Sequence, residues 1–281
     1  MQKKIIFHSS VKIKFKAEKE VKMNIKLVVT DLDNTLLRND KTISDYSAEV
    51  FMKCKDYGIM TSVATARYIT GIQPFISQIL PDYQITNDGT MIFHNEKLLH
   101  GFYMELNSAN EILNIIKKEN PDGYISVVND DGIFRKFASL NSASPNTYES
   151  PSFTCDFDKP LSKPPFKIVM ECFRPELAAD IVSLTGCRMI TYRNENRYAF
   201  ISNNAGKVNA IKELTLRLNI SLNKVAVFGD DINDIDMISE CGYGIAVANA
   251  IAEVKNAADY ITDTNENDGV AKFMEHNFLN I

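Results

Sequence analysis

The sequence predicts an α/β protein with a doubly wound, Rossmann-like parallel sheet core and an inserted α+β cap domain. Five short apolar runs rich in β-branched residues are typical of strands buried on both faces of a parallel sheet. They lie at residues 25–30, 59–64, 83–86, 224–228 and 243–247. Helical patterns separate several of these runs, and hairpin patterns fill the middle of the chain.

Two helical patterns belong to the predicted core. Apolar residues recur on one face after Ser44 as far as Gly58, and again after Lys207 as far as Leu218. Such stripes indicate amphipathic helices that pack on a sheet. Because strands that alternate with helices form parallel sheets, both ends of the chain are predicted to build one core.

The middle of the chain has strand patterns paired around short turns. These hairpin patterns lie at residues 90–103, around 130–132 and around 194–195. Two helices are predicted there, one from the capping box Ser108-Ala-Asn-Glu111 to Pro121 and one from Pro175 to Gly186. A loop rich in Ser and Pro at 141–165 precedes a strand at 166–172.

Three parts of the chain are therefore distinguished. We predict a catalytic core from residues 23–88 and 204–281, and a cap over residues 89–203 that sets substrate specificity. Residues 1–22 hold seven lysines and two glutamates, which makes them a basic N-terminal extension. An upstream segment ahead of Met23 is favoured over a basic recruitment arm.

Composition excludes several classes of protein. The chain has 281 residues, of which 45% are hydrophobic and 24% charged, as in a globular protein large enough for two domains. A net charge of −5 gives no reason to expect nucleic-acid binding. No apolar run approaches the roughly 20 residues that span a bilayer. Five widely spaced cysteines predict reduced thiols and a cytoplasmic location.

Asp31 and Asp33 follow the first predicted strand, in the segment Asp31-Leu-Asp33-Asn-Thr35. Two carboxylates this close at a strand end are costly unless a cation or an anion-binding site lies beside them. A plain turn is the alternative for such a pair on its own.

The segment Gly229-Asp230-Asp231-Ile-Asn233-Asp234 follows another buried strand. Acidic residues grouped there indicate oxygen ligands for a hard cation such as Mg²⁺. An acidic helix N-cap is the alternative, and it could be the whole role of Asp231.

Thr65 and Lys207 complete the polar residues at these strand ends. The Thr65 hydroxyl could bond a phosphate oxygen, although threonine is common at the end of a strand. Lys207 begins a helix, where a positive charge beside free backbone N–H groups suits an anion, with a solvated lysine as the alternative. Since ligands bind at the carboxyl ends of strands in open α/β sheets, all four segments are predicted to form one site.

In their order and positions the four segments resemble the four motifs of the haloacid dehalogenase superfamily. The segment GDDINDIDM, from Gly229, resembles the GDxxND form of its Cof-like phosphatases, which carry a type IIB cap. The resemblance continues through GIAVANAIAEVKNAADYITDTNENDGVA and covers residue 25 to the C-terminus.

The resemblance implies a Mg²⁺-dependent phosphatase that forms an aspartyl-phosphate on Asp31. It implies that Asp33 is the general acid and base, and the presence of Asp33 argues against a dehalogenase. The implied Mg²⁺ ligands are Asp31, the backbone carbonyl of Asp33, Asp230 and Asp234. The implied substrate-binding residues are Thr65, Arg67, Asn87, Lys207 and Asn233.

The implied substrate is a small phosphorylated metabolite, such as a sugar phosphate, pyridoxal phosphate or flavin mononucleotide. A small-molecule phosphate ester is thus the expected partner, with no nucleic acid or membrane, for a monomer or small homo-oligomer. Arginines 135, 193 and 197 of the cap could contact its distal part, although solvated surface charges are the favoured interpretation.

Three motifs depart from the family pattern. DGT is Asp33-Asn34-Thr35 here, and asparagine tolerates the turn conformations of glycine. TGR is Thr65-Ala66-Arg67, where alanine could strain a loop that needs positive φ. NGA is Asn87-Asp88-Gly89, and the added carboxylate is unfavourable unless it faces solvent, the metal or a substrate hydroxyl.

Two other functions remain open. A phosphomutase would use the same Asp31 chemistry and return the phosphoryl group to the sugar. A sensor of a phosphorylated ligand would use the fold without catalysis, although all four catalytic positions are filled. A response-regulator receiver is excluded because it is far shorter and has no cap between its motifs.

Overall fold

The computed structural model describes residues 23–136 and 152–279. The predicted extension at residues 1–22 and the first part of the predicted loop at 141–165 lie outside the described residues. The described strands are β1 Leu27–Thr30, β2 Met60–Ala64, β3 Tyr83–Thr86, β4 Met91–His94, β5 Lys97–Gly101, β6 Ile125–Asn129, β7 Gly132–Arg135, β8 Ser152–Thr154, β9 Lys167–Glu171, β10 Arg188–Thr191, β11 Arg197–Ile201, β12 Val225–Gly229, β13 Tyr243–Ala246 and β14 Tyr260–Ile261. The described α-helices are α1 Asp45–Asp56, α2 Gln73–Ile76, α3 Leu106–Glu119, α4 Pro175–Thr185, α5 Lys207–Leu218, α6 Ile235–Glu240, α7 Ala252–Ala257 and α8 Gly269–Met274.

Eight strands form the larger sheet, in the order β14-β13-β12-β1-β2-β3-β4-β5. The strands from β14 to β3 pair in parallel, as the alternating pattern predicts. Strand β1 is buried along its whole length, because helices cover both faces of a doubly wound sheet. The predicted α/β class is confirmed.

The register of the central strands brings the polar segments to one edge. Thr30, the last residue of β1, pairs with Phe228 of β12 on one side and with Val63 of β2 on the other. The segments that begin at Asp31, Thr65 and Asp230 therefore leave three adjacent parallel strands at the same end of the sheet.

The hairpin of β4 and β5 corrects the predicted domain boundary. The sequence predicts a cap over residues 89–203, but β4 pairs antiparallel with β3 and so extends the larger sheet. A hairpin pattern does not specify which sheet its outer face joins, since β-pairing depends on neighbours distant in sequence. The larger sheet thus continues to Gly101.

The smaller sheet has six strands in the order β10-β11-β9-β6-β7-β8. Helices α3 and α4 supply buried residues such as Ile112 and Ile181 to a second apolar cluster that also includes Ile168 of β9. This unit has the hairpins and paired helices predicted for the cap. Strand β8 pairs in parallel with β7, so part of the predicted loop at 141–165 belongs to the sheet.

Helix α3 begins before its predicted capping box. Glu105 is its N-cap and makes no side-chain capping bond, so Ser108 lies inside the first turn. Met104 is buried and its N–H donates to the Pro165 carbonyl, which fixes where the chain enters the helix. Tertiary packing has overridden the local signal. Among the described helices, none has the length and hydrophobicity to span a membrane.

Candidate active site

Lys207 lies at the centre of the site and joins two carboxylates. Its Nζ donates to Asp31 Oδ1 and to Asp234 Oδ1, each at 2.7 Å. All three side chains are buried. Burial alone would lower the pKa of Lys207, but the charges of Asp234 and Asp31 outweigh it and raise this pKa. The lysine is therefore a fixed positive charge at the sheet edge.

Asp31, Asp230 and Asp234 form a buried acidic cluster. Each offers one carboxylate oxygen, and these oxygens lie within 4.8 Å of one another. Burial raises the pKa of Asp31 well above its usual value, and burial together with the Asp234 charge raises the pKa of Asp230 to about 7. Three carboxylates so close repel one another unless a cation joins them, so this oxygen-rich cluster fits a divalent ion.

The acidic cluster is held by hydrogen bonds from the backbone and from Thr35. Asp234 Oδ2 accepts from the N–H of Asp230 at 2.9 Å and from that of Asp231 at 3.1 Å. Thr35 Oγ1 donates to Asp230 Oδ1 at 2.9 Å. Asp231 caps the short helical turn that follows, which is the alternative role foreseen for it. These bonds fix the orientation of the Asp230 and Asp234 carboxylates.

Asp33 is paired with two cations and lies outside the acidic cluster. Arg67 forms two hydrogen bonds with its carboxylate, Nε to Oδ2 at 2.7 Å and Nη2 to Oδ1 at 2.8 Å. Lys41 Nζ donates to Oδ1 at 2.8 Å. Although burial opposes it, these bonds and charges lower the pKa of Asp33 to about 2. Arg67, predicted to bind substrate, is thus engaged with the predicted general acid.

Thr65 and Asn87 lie on two loops that are bonded together. Thr65 is buried at the end of β2, and its Oγ1 accepts from the N–H of Arg67 at 3.2 Å. The N–H of Asn87 donates to the Arg67 carbonyl at 2.7 Å, while its side-chain Nδ2 donates to Thr90 Oγ1. The Asn87 side-chain amide therefore stabilises its own turn.

The motif departures have different outcomes. Asn34 has φ of 59°, the left-handed conformation that asparagine tolerates, and Ala66 is not among the residues with positive φ. Neither substitution strains its loop. Asp88 is buried and borders the cavity that Lys207 and Asn233 also line, and its carboxylate accepts hydrogen bonds from Lys167 and Tyr192 of the smaller sheet. The added carboxylate is therefore compensated by a cation and a hydroxyl from the smaller sheet, in addition to bordering that cavity.

Two cavities lie between the larger and smaller sheets. One of about 360 Å³ is lined by Arg67, Asn87 and cap residues that include three cations, Arg135, Lys167 and Arg197. The other, of about 260 Å³, is lined by Lys207 and Asn233 together with strand β10. The candidate substrate residues Asn87 and Asn233 therefore border different cavities.

Two of the cap arginines, Arg193 and Arg197, have acidic neighbours, and Arg193 is also exposed, as expected for a solvated charge. Arg193 Nε lies 3.3 Å from Asp231 Oδ2 and its Nη2 lies 4.0 Å from Asp230 Oδ2. Arg197 lies within 4 Å of Glu171 and Glu195. The cap thus reaches across to the acidic segment of the core.

Four residues of the site were not assigned from the sequence: Thr35, Lys41, Lys167 and Tyr192. Thr35 belongs to the first motif, and its place after the two aspartates is a signal for a hydrogen-bond role. Lys167 begins an apolar strand, where a lysine is unusual enough to indicate a buried partner. Lys41 and Tyr192 carry no comparable signal.

Comparison with known proteins identifies the family to which this chain belongs. A family model described as haloacid dehalogenase-like hydrolase matches residues 28–274, which confirms the resemblance found in the motifs. The 5-amino-6-(5-phospho-D-ribitylamino)uracil phosphatase YcsE of Bacillus subtilis is 28% identical over 261 residues, which cover 90% of this chain and 96% of that protein.

Solved structures show the same fold. The subclass IIB sugar phosphatase BT4131 superposes with a TM-score of 0.79 at 21% identity, covering 89% of this chain and 98% of that one. BT1666 from Bacteroides thetaiotaomicron gives 0.79 at 19% identity, with 93% and 98% covered.

Proposed function

Because the chain belongs to the haloacid dehalogenase-like hydrolases, we propose that it hydrolyses phosphate monoesters of small metabolites through an aspartyl-phosphate on Asp31. The observation that carries this proposal is the Lys207 ammonium between Asp31 and Asp234, inside a buried acidic cluster. A nucleophilic carboxylate, a cation site and a fixed positive charge are the groups that phosphoryl transfer requires.

The first step transfers the phosphoryl group to the protein. A carboxylate oxygen of Asp31 forms a bond to phosphorus while the ester P–O bond breaks, and Asp33 gives a proton to the departing alkoxide. Lys207 and Thr65 hold the phosphoryl oxygens and balance their negative charge. Asp33 carries a proton only after Arg67 and Lys41 release its carboxylate, so substrate must exchange these ion pairs.

The second step restores the nucleophile. Asp33 accepts a proton from water, the water oxygen bonds to phosphorus, and the bond between phosphorus and Asp31 breaks to release inorganic phosphate. Asp31, Asp230, Asp234 and the backbone carbonyl of Asp33 would hold Mg²⁺. Bound there, Mg²⁺ supplies positive charge that lets an anionic carboxylate approach an anionic ester.

The smaller sheet and its helices are proposed to act as the cap that selects the leaving group. The cavity of about 360 Å³ is lined by Tyr68, Tyr124 and Tyr192 besides its cations, which suits a polar or aromatic leaving group. Because YcsE is named as a phosphatase of a ribitylaminouracil phosphate, that ester joins sugar phosphates, pyridoxal phosphate and flavin mononucleotide as candidate substrates. The free cysteine thiols fit the proposed cytoplasmic location.

The test is phosphate release from a panel of these esters, with and without Mg²⁺. Activity is expected to need Mg²⁺ and to vanish in Asp31→Asn, which keeps the side-chain shape but removes the nucleophile. Asp180→Asn, an exposed change on α4, is the matched control and should retain full activity. Activity that persists in Asp31→Asn, or isomerisation of a hexose phosphate without phosphate release, contradicts the proposal.

A further inference from the structure

Asp88 occupies a turn that is built into the candidate active site. Its backbone N–H donates to the Thr65 carbonyl at 3.1 Å. The next residue, Gly89, lies so close to the backbone of Gly206 and Lys207 that an added Cβ would be 2.3 Å from the Gly206 carbonyl carbon. The turn therefore contacts both Thr65 and Lys207, the two residues proposed to hold the phosphoryl oxygens.

The Asp88 carboxylate joins this turn to the cap. Its Oδ2 accepts a hydrogen bond from Lys167 Nζ at 2.8 Å and another from Tyr192 Oη at 2.6 Å. The side chains of Asp88 and Lys167 are only 1% and 8% exposed. A buried ion pair therefore crosses from the core to the cap, and each charge depends on the other for compensation.

Lys167 also belongs to the wall of the cavity of about 360 Å³, as does Tyr192. An uncompensated ammonium in that wall would attract a second anionic group of a bound ester. Asp88 neutralises this ammonium, and its second oxygen, Oδ1, is buried without a hydrogen-bond partner among the described residues. The net charge of the buried Lys167–Asp88 pair is therefore zero.

Two other cations of the same wall are also compensated. Arg67 is bonded to Asp33, and Arg197 lies within 4 Å of Glu171 and Glu195. The pairing of Lys167 with Asp88 is the most buried of these pairs. Because electrostatic interactions strengthen with burial, this pair has the largest influence on which charges the cavity accepts.

We propose that Asp88 determines the charge specificity of the site: by neutralising Lys167 it favours phosphate esters with an uncharged leaving group over esters that carry a second anion. This inference rests on the proposed function, since it concerns the leaving group of the same reaction. Asp88 acts through Lys167 and is therefore a positioning residue. Its effect belongs to substrate binding, and so to KM more than to kcat.

Two matched esters test the inference. D-glucitol 6-phosphate and 6-phospho-D-gluconate are open-chain compounds that differ at one terminal carbon, a hydroxymethyl group in the first and a carboxylate in the second. The ratio of their kcat/KM values is expected to favour the glucitol ester in the wild type by about tenfold or more. Asp88→Asn is expected to shift this ratio toward the gluconate by about tenfold, mainly through KM.

Three further variants separate charge from structure. Tyr192→Phe removes a hydrogen bond to Asp88 without changing any charge, and it should leave the ratio unchanged. Adding Lys167→Gln to Asp88→Asn removes both charges and should restore the wild-type preference. Lys167→Gln alone leaves the Asp88 charge in place and should widen the preference, which provides a test even if Asp88→Asn fails to fold. Arg135 lines the same wall in every variant, so the comparison isolates Lys167.

An unchanged ratio in Asp88→Asn, or a double variant that keeps the shifted ratio, overturns the inference. Dissociation constants for the two esters, measured by calorimetry in an Asp31→Asn background, give the same ratio without turnover. Lack of turnover in the wild type with a shifted binding ratio in Asp88→Asn would reject the proposed reaction and support the role of Asp88. Failure of both esters to bind any variant overturns this inference as well.

Discussion

At the scale of single residues, Asp33 shows how neighbouring charges set the state of a candidate catalytic group. Arg67 and Lys41 both bond to its carboxylate, and its pKa is about 2. Lys41→Met removes one cation and one hydrogen bond while keeping the length of the side chain. We expect the pKa of Asp33 to rise toward its ordinary value of about 4.

Carboxyl ¹³C NMR of aspartate-labelled protein, titrated from neutral to acidic pH, measures this change directly. Lys53→Met on α1 is a suitable control, because Lys53 pairs with Glu275 at 3.8 Å, whereas the cations bonded to Asp33 are Lys41 and Arg67. The Asp33 midpoint should be the same in that control and in the wild type. A midpoint that stays near 2 in Lys41→Met would show that Arg67 alone holds the carboxylate ionised.

The residues of the acidic cluster could be predicted from the sequence, whereas the partners of Asp88 could not. The sequence predicts the strands that precede Asp31 and Asp230 and the helix that begins at Lys207. The carboxyl ends of parallel strands meet at one edge of the sheet, which brings these residues together. Lys167 and Tyr192 are 79 and 104 residues from Asp88 along the chain. Their contact depends on how the smaller sheet lies over the larger one, and no local pattern specifies that.

At the scale of secondary-structure elements, the turn at Gly89 fixes the start of α5. Gly89 has φ of +82°, and an added Cβ would be 2.5 Å from Lys207 N. Gly89→Ala must therefore displace the backbone that positions Lys207, besides straining its own conformation. We expect loss of most phosphatase activity and destabilisation of more than about 3 kcal/mol.

Gly58→Ala is the matched control for that variant. Gly58 also has positive φ, +64°, but an added Cβ meets nothing within 4 Å. Gly58→Ala should lower the free energy of unfolding by only about 1 kcal/mol, because backbone strain is its sole effect. Urea unfolding of both variants, with assays of the folded protein, makes the comparison. An equal loss of unfolding free energy in the two variants would show that the close approach of Gly89 to Gly206 and Lys207 does not contribute to stability.

Asp268 links three elements through one carboxylate. Its Oδ1 accepts from Ser44 Oγ, the N-cap residue of α1, at 2.7 Å, and its Oδ2 accepts from Arg38 Nη2 at 2.7 Å. Asp268 itself is the N-cap residue of α8 and has φ of 56°, a conformation that asparagine also tolerates. Asp268→Asn thus removes the charge with little strain and is expected to lower the free energy of unfolding by about 1–2 kcal/mol.

The same contact predicts a pH dependence of stability. Although burial opposes it, the hydrogen bond from Ser44 and the Arg38 charge lower the pKa of Asp268. A lowered carboxyl pKa stabilises the fold above the unfolded value of about 4, and this stabilisation is lost as pH falls through the folded pKa. The gap between wild type and Asp268→Asn should therefore close in acid. A gap that is constant between neutral pH and pH 3 would contradict the pairing.

At the scale of the whole molecule, the sequence predicts that there are two sheets and of which type, but it does not predict which strands belong to each. The alternation of strands and helices predicts the parallel sheet, and strands 60–64 and 83–86 appear almost as expected. The β4–β5 hairpin was assigned to the wrong sheet, since hairpin signals are local and sheet membership is not. The carboxyl edge of the larger sheet, where the site lies, does not depend on that assignment.

We expect the acidic cluster to make the stability of the folded chain depend on pH and on a divalent cation. Burial raises the pKa of Asp31 and of Asp230, the latter to about 7, so the folded protein holds protons that the unfolded chain releases at lower pH. Unfolding free energy of the metal-free protein should therefore fall as pH rises from about 4 to 7. A divalent cation that binds only the folded state acts in the opposite direction, because it stabilises the ionised carboxylates.

Thermal unfolding in EDTA and in excess Mg²⁺, measured between pH 5 and pH 8, tests this coupling. The rise in Tm caused by Mg²⁺ should grow with pH, since protons compete with the metal below the pKa of Asp230. Asp230→Asn should abolish most of the Mg²⁺ effect, while Asp180→Asn on the cap should leave it intact. A Mg²⁺ shift that is independent of pH, or equal in both variants, would place the metal away from the acidic cluster and would remove the cation from the proposed reaction.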